Sequence, residues 1–350
     1  MHQESTQLDE QSATRVLSQV MGKARYEEAL IMLPTWMGHL AKTLERALNT
    51  LGVTVSLRSM QPPDPSSMSV SACADRWVPR NAPSTTLMVL SGVRPWSHSI
   101  EGDHLIEIEA MTRREALLAQ GQRILFIDWP QGARRDAEID LRPEAMVRIY
   151  RRALEIDYPS MRAWNQRLYE ALAGAKHLHI RCPEGSDLKC SVQGRSWLKE
   201  DCLLGEKEPA VYLPGGEIYA PVMEESAEGR VVFHHMGHAR IAYFKRGKLL
   251  SVERRDGSSD EALAEEMGVG VEPLCEVGIG SNQWAPPWQI GTIYEKSAGT
   301  LHVAVGGNAH FGGLRDSPRH MDLIIRAPTL EVDGTSLSLP SGLWDQKEDL

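Results

Sequence analysis

Near its C-terminal end the sequence reads His320-Met321-Asp322 and runs directly into the apolar Leu323-Ile324-Ile325. Residues i and i+2 of a strand share a face, so this spacing predicts an imidazole and a carboxylate projecting together from a buried anchor. Such a pair is half of a metal site, and taken alone it reads equally well as a surface ion pair. Three further ionisable residues occupy settings too apolar or too glycine-rich for a solvated charge. They are Glu217 in Leu213-Pro214-Gly215-Gly216-Glu217-Ile218-Tyr219-Ala220-Pro221, Glu276 in Leu274-Cys275-Glu276-Val277-Gly278-Ile279-Gly280, and His302 in Gly299-Thr300-Leu301-His302-Val303-Ala304-Val305-Gly306-Gly307. A carboxylate or imidazole inside a buried strand is costly unless it is paired or ligated. Three carboxylates and two imidazoles supply enough mixed oxygen and nitrogen donors for two divalent ions, with one carboxylate bridging. Ions about 3.5 to 4 Å apart share a water, lower its pKa and stabilise a tetrahedral oxyanion.

Competing chemical signatures are missing. Gly268, Gly270, Gly278 and Gly280 do not complete a GxGxxG between a strand and a helix, and the sequence contains no GxxxxGK[ST], GxSxG or HExxH. In His234-His235-Met236-Gly237-His238 the histidines alternate faces if the segment is a strand, so a partly exposed strand and turn is expected rather than a metal box. Cys73, Cys182, Cys190, Cys202 and Cys275 form no CxxC pair, and their odd number predicts free, mostly buried thiols. Asp187, in Gly185-Ser186-Asp187-Leu188, is expected to cap a turn by accepting backbone N–H bonds. Trp284 and Trp288 either wall an apolar pocket or pack a proline-bearing loop.

The elements that must position these residues differ between the two halves of the chain. Ala29 to Pro34 reads as a buried strand, apolar positions from Met37 to Leu51 recur at helical spacing before Gly52, and Val53 to Leu57 alternates as a strand. A strand-helix-strand unit of this kind builds parallel sheet. Thr86 to Ser91 and Arg123 to Asp128 add two strands around a helix near Ile106 to Gln120, and Gln61 to Met68 is a Pro/Ser surface loop. Helices over 143–155 and 159–173 close this half, which sets a boundary near Gly174. Beyond it come short strands at His177 to Arg181, Ala210 to Leu213, Arg230 to His234, Arg240 to Phe244, Leu301 to Val305 and Leu323 to Arg326, separated by glycine-rich turns. The expected organisation is therefore an α/β domain with a parallel sheet over 1–174 and an α+β catalytic domain over 175–350, ending in an acidic, frayed tail.

The 350 residues allow two domains, and 42% hydrophobic with 24% charged residues is the composition of an ordinary globular protein. A net charge of -9 disfavours nucleic acid and anionic membrane surfaces as partners. Met1 to Arg15 is polar with no apolar stretch of a signal peptide, which sets a cytoplasmic expectation.

From Gly185 to Asp322 several motifs line up in one order: Gly185-Ser186-Asp187-Leu188, Gly194-Arg195-Ser196-Trp197, Pro214 to Pro221, Glu276 with Asn282, Glu295-Lys296-Ser297-Ala298-Gly299-Thr300-Leu301-His302 onward, and His320-Met321-Asp322. In these the second half resembles the M29 family of metallo-aminopeptidases, of the thermophilic aminopeptidase T and AmpS type. The first half resembles that family only in its α/β texture. The resemblance implies a homodimer of two-domain chains that acts on a peptide or small-molecule amide. It also implies a dinuclear centre whose ligands fall on Glu217, Glu276, His302, His320 and Asp322. Zinc is the first expectation for the ions, with cobalt, manganese or magnesium as alternatives, and Glu217 or Glu276 doubles as proton shuttle.

There is one departure. The family's catalytic tyrosine falls on Ala309, so the group that hydrogen-bonds the oxyanion is absent, and His310 or Asn308 is the nearest substitute. His310 is accordingly expected to line the pocket of an enzyme with a narrow substrate range. Asn308, Gly312 and Gly313 also resemble the corresponding loop of the iron-dependent 2,5-dihydroxypyridine ring-cleaving dioxygenases. That gives a second reading, a single Fe(II) held by His320, Asp322 and one of His302 or Glu276. A third is a catalytically inactive member kept as a binding subunit. Two ions, one iron or none would separate the three.

Overall fold

The computed structural model describes residues 7–61, 68–81, 87–92, 103–130, 134–135, 140–288 and 293–343. In chain order its elements begin with α1 (Glu10–Met21), β1 (Glu28–Pro34), α2 (Gly38–Thr50), β2 (Thr54–Met60), α3 (Val70–Asp75), β3 (Leu87–Ser91), α4 (Asp103–Ala119) and β4 (Arg123–Ile127). There follow β5 (Arg134–Arg135), β6 (Asp140–Leu141), α5 (Pro143–Leu154), α6 (Tyr158–Leu172), β7 (His177–Arg181), β8 (Asp187–Ser191), β9 (Leu198–Glu200), β10 (Ala210–Leu213) and β11 (Glu217–Pro221). The chain ends with β12 (Glu228–His235), β13 (His238–Lys245), β14 (Lys248–Arg254), α7 (Glu261–Glu266), β15 (Leu274–Gly280), β16 (Thr300–Gly306), β17 (His320–Arg326), β18 (Thr329–Val332) and β19 (Thr335–Leu337). No helix among the described residues is long and apolar enough to cross a membrane.

The first compact unit comprises 1–132, 143–158 and 202–215 and holds a five-stranded sheet in the order β10-β4-β3-β1-β2. All its pairings are parallel. The continuous apolar run of β1, buried from Ala29 to Pro34, is what a strand covered on both faces requires. On α2 the buried positions Leu40, Ala41, Leu44, Ala47 and Leu48 keep helical spacing, so one stripe of the helix faces the sheet. Helix α1 has no counterpart in the sequence reading, which weighed this segment only as a possible leader. It is an amphipathic helix capped by Asp9, whose carboxylate accepts the Ser12 amide at 2.8 Å.

The second unit comprises 133–142, 159–201 and 216–350. Seven strands in the order β14-β13-β12-β8-β7-β18-β19 form one antiparallel sheet, and five in the order β17-β16-β15-β11-β9 form another. The two sheets share one apolar core. Leu178, Ile180, Leu188, Val231 and Phe233 enter it from the larger sheet, and Ile218, Val277, Ile279, Leu301, Val303, Leu323 and Ile325 from the smaller.

These units depart from the expected division at Gly174 in two places. Leu168 and Leu172 of α6 are buried in the core of the second unit, so that helix belongs there. Strand β10, expected in the second domain, pairs instead with β4 at the edge of the parallel sheet, Ala210 beside Ile124 through Leu213 beside Ile127. A strand's own periodicity fixes its faces and leaves its partner open. The Gln61 to Met68 loop falls mostly outside the described residues.

Two local readings are settled by the larger sheet. His235 ends β12 and His238 begins β13, with Met236 (φ 50°) and Gly237 (φ 76°) making a tight hairpin turn, so the histidine-rich segment is a strand and turn. Asp187 does not cap a turn. It lies in β8 with its carboxylate 2.7 Å from Nε2 of His179 on β7. The turn-holding role falls to buried Ser186, whose hydroxyl accepts the Val232 amide at 2.8 Å. Ser186→Ala, which strands that buried amide, should cost about 1 to 3 kcal/mol. Asp187→Ala removes an exposed ion pair and should cost at most about 1 kcal/mol. Urea unfolding of both variants checks the ranking, and the reverse order would restore the capping role.

Candidate functional site

Strict alternation divides the five-stranded sheet of the second unit into two chemically opposite faces. Ile218, Val277, Ile279, Leu301, Val303, Val305, Leu323 and Ile325 point to the apolar core. The intervening residues form the other face: Glu217 and Tyr219 on β11, Glu276 on β15, His302 on β16, and His320 and Asp322 on β17. One irregularity makes this possible. Leu274 pairs with Val305 while Glu276 pairs with Ala304, a register shift that places a bulge at Cys275. Without it Leu274 and Glu276 would share a face; with it the leucine enters the core and the glutamate joins the site.

The floor between the ionisable groups is made of small residues. A Cβ on Gly278 would fall 2.1 Å from Nε2 of His302, so the imidazole lies directly across that glycine. Ala304 separates Glu276 from Asp322 in the register. Gly306 has φ 125°, and a Cβ there would meet the Arg319 carbonyl oxygen at 2.0 Å.

The five residues proposed from sequence are brought together in an unbroken run of contacts. His302 Nε2 lies 3.5 Å from Glu217 Oε2 and 3.4 Å from Glu276 Oε1. His320 Nε2 lies 3.4 Å from Glu276 Oε2 and 3.4 Å from Asp322 Oδ1. Glu276 thus presents one oxygen to each histidine. His320 Nδ1 faces the Gly307 carbonyl at 3.4 Å and the Cys275 thiol at 4.0 Å. Among the described residues, no three or more His, Cys, Asp or Glu side chains are disposed as a group that could hold a metal ion as they stand. The nitrogen–oxygen spacings are those of charge pairs rather than of donors opened around a common point.

Three charged residues to which the sequence reading gave no role complete the face. Lys296 is buried, with Nζ 2.6 Å from Glu217 Oε1, 2.9 Å from Glu200 Oε2 and 2.9 Å from Glu295 Oε1. Glu200 stands opposite Glu217 in the pairing of β9 with β11. The signal was present in Glu295-Lys296, a charge pair just ahead of the apolar run that carries His302.

Burial and charge pull these groups in opposite directions. Burial raises the Glu217 carboxyl above the usual range against the pull of Lys296 and His302. Burial likewise raises Glu295. Asp322 goes the other way: despite burial, its hydrogen bond to His320 and the charges of the two imidazoles hold it low. Burial alone would depress His302, but a hydrogen bond to Glu276 and the charges of Glu217 and Asp322 carry it up to about 9. His320 is carried to about 12 against its own burial, through Asp322, Cys275 and Glu276.

Behind the face, Asn308 closes the loop that follows β16. Its Nδ2 donates to the Cys275 carbonyl at 3.0 Å and its Oδ1 accepts the Arg315 amide at 2.9 Å. With one of its two N–H donors spent and the side chain fully buried, Asn308 is a member of the loop's framework rather than an exposed donor. Ala309 to Phe311 form a single 3₁₀ turn rather than a continued strand, so strand alternation does not govern where His310 points. His310 is exposed, its ring centroid 6.4 Å from that of His320. Arg195 ties the same loop down, donating to the Gly312 carbonyl at 2.9 Å and pairing with Glu224 at 2.6 Å. Trp288 is packed at 7% exposure, as the loop-packing alternative requires.

The described elements form a mixed α/β architecture. Two solved structures carry it across nearly the whole chain. AmpT from Thermus thermophilus matches with a TM-score of 0.69 at 17% identity, over 96% of this chain and 98% of that one. The 2,5-dihydroxypyridine dioxygenase from Pseudomonas putida KT2440 matches with a TM-score of 0.66 at 16% identity, over 98% of this chain and 100% of that one. No family model matches the chain, and no curated protein matches it in sequence. The likeness therefore establishes the fold and leaves the reaction open.

Folding raises His302 from 6.5 to about 9. The stability its protonated form contributes is complete below pH 6.5 and disappears as the pH climbs through about 9. Chelator-treated protein should accordingly unfold at lower urea as the pH is raised from 6.5 toward 9, and His302→Gln should flatten that decline. A wild-type midpoint that is level across this window would show that the imidazole does not pair with its carboxylates.

Proposed function

We propose that the chain is a divalent-metal-dependent hydrolase cleaving an amide beside a free amine, or a related amide in a small molecule, with Glu217, Glu276, His302, His320 and Asp322 as ligands. The observation that carries this reading is the run of contacts from Glu217 through His302, Glu276 and His320 to Asp322 on one sheet face. The donor set fits such an ion: neutral imidazoles and carboxylates suit zinc, manganese and cobalt. Glu217 Oε2 is a buried polar atom without a hydrogen-bond partner, 3.5 Å from Nε2 of His302. A divalent ion held by these donors would supply a polarised carbonyl and a water of lowered pKa.

The chain's own residues divide the remaining work. Glu276, with an oxygen toward each histidine, is the carboxylate suited to serve both halves of the site. Glu217 has one oxygen fixed by Lys296 and the other facing His302, and its raised pKa suits it to carry a proton. His310 stands at the exposed rim, where it meets the substrate. With alanine at position 309 and Asn308 committed to its loop, no oxyanion donor comes from these two residues, and the reading is of a specialist. Zinc and a homodimer accompany this reading through the same resemblance.

The loop of Asn308, Gly312 and Gly313, with the full-length fold match to the dioxygenase, favours one alternative: a mononuclear Fe(II) ring-cleaving oxygenase using His320, Asp322 and one of His302 or Glu276. Elemental analysis of protein purified without chelator, followed by peptide and amide substrates and by oxygen uptake on hydroxylated aromatics, separates the two.

Asp322→Asn and His320→Ala should each lose most of the bound metal and of the turnover, by about 100-fold or more if second-row catalysis is also lost. Wild-type metal and rate in either would make the pair structural. Unmodified dipeptides should be poor substrates, and His310→Ala should alter KM or kcat on the true substrate while leaving metal content unchanged. Ordinary rates on most dipeptides would refute specialisation, and unaltered kinetics in the variant would remove His310 from the site.

A further inference from the structure

Resting on the hydrolase reading above, and on no bound ion, we propose that the phenolic hydroxyl of Tyr219 is the hydrogen-bond donor that meets the oxyanion when an amide is cleaved on this face.

The register of three strands places the residue. Tyr219 stands on β11 two residues beyond Glu217 and opposite Gly278 of β15, and Gly278 in turn stands opposite His302 of β16. Directly opposed residues of antiparallel strands point to the same side, so the phenol and the imidazole share the face with only a glycine between them. The His302 ring lies across that glycine, where a Cβ would come within 2.1 Å of its Nε2. From the other side the Tyr219 ring meets Phe311 edge to face, with centroids 5.6 Å apart and planes at 71°, and Phe311 lies 6.4 Å from the ring of His320. The phenol is thus held between the strand of Glu217 and the loop that follows β16. It is only half-buried, which leaves part of the residue open to a ligand.

The donors around it are already committed. Lys296 serves three carboxylates, His302 Nε2 lies between Glu217 and Glu276, and His320 Nε2 lies between Glu276 and Asp322. Arg195 is spent on Gly312 and Glu224. The Tyr219 hydroxyl makes none of the hydrogen bonds found among the described residues, although it feels the charges of Glu217, Glu200, Lys296 and Glu276. A phenol has one O–H to give, and this one faces no protein acceptor.

The step it serves is the addition of water to the amide carbon. As the new C–O bond forms, the carbonyl electron pair moves onto oxygen, and that oxygen accepts the Tyr219 O–H. Collapse restores the carbonyl and breaks the C–N bond, and the leaving nitrogen receives the proton that Glu217 took from the water. The phenol keeps its own proton throughout. The ordinary reading, a ring packed on Phe311 with a hydrated hydroxyl, makes phenylalanine an equal substitute at this position.

Tyr219→Phe keeps the ring and removes the hydroxyl. A panel of aminoacyl p-nitroanilides and small amides first identifies a compound that the full chain, purified without chelator, turns over. On it the variant should lose about 100- to 1000-fold in kcat with KM within about twofold. A second readout is independent of turnover: an aminoalkylphosphonate, tetrahedral and anionic, should bind the variant at least about tenfold more weakly than the wild type, while the matching plain amine binds both alike. Unchanged kcat, a change confined to KM, or a phosphonate that binds both chains equally or neither overturns the proposal. If the phenylalanine variant does not fold, Phe311→Leu decides, because it leaves the hydroxyl and removes the ring that aims it; kcat should fall, and an unchanged kcat overturns the proposal. A wild-type chain that cleaves no amide overturns the hydrolase reading itself, a result distinct from an active wild type matched by its phenylalanine variant.

Discussion

Everything at the candidate site depends on a balance of buried charge on one sheet face. Five carboxylates, Glu200, Glu217, Glu276, Glu295 and Asp322, are drawn out of water with one lysine and two imidazoles. Isolated ions in such a place cost several kcal/mol each, and they persist only where every one has an opposite partner in contact. Here each does. Lys296 holds three carboxylates, His302 touches two and His320 touches two, with Glu276 common to both imidazoles. The raised imidazoles and the low Asp322 follow from the same arrangement. Protons on the imidazoles thus answer the electrostatic demand, and any divalent cation entering the face would have to displace them.

The backbone makes that balance geometrically possible. Antiparallel strands bring together residues far apart in sequence, and alternation sends the intervening Ile, Val and Leu to a shared core, so the stability of the second unit and the chemistry of its site are two faces of one sheet. Gly278 allows the His302 ring to lie flat where any side chain would stand. The bulge at Cys275 changes which residues of β15 face the site. Neither feature adds a contact; each removes an obstacle to one.

How much of this was legible follows from the range of the signals. His320 and Asp322 were visible because i and i+2 suffice, and Glu217, Glu276 and His302 because a charge inside an apolar run is anomalous by itself. Strands β1, β3, β4 and β16 were legible as continuous apolar runs. Strand β10 was found but assigned to the wrong sheet, since partner choice is a long-range property. The bulge left no mark, as Leu274 and Glu276 look like same-face neighbours until their partners are known. Lys296 was hidden for a related reason. A Glu-Lys pair ahead of a strand looks solvated, and only the pairing of β9 with β11, which sets Glu200 opposite Glu217, shows what the ammonium must neutralise.

The division of labour between the sheet and its loops bears on how such a site changes its substrate. Ligand candidates stand on strands whose other face is core, so altering them risks both the fold and the charge balance. The loop after β16 is different. Asn308, Arg195 and Glu224 hold its backbone from beneath, through the Cys275 and Gly312 carbonyls and the Arg315 and Leu314 amides. Ala309 and His310 stay exposed on top of that brace. The side chains at those two positions make none of the four hydrogen bonds just named. In a site of this construction the charged face is tied to the core while the exposed rim is not, so the two can vary independently on one fold.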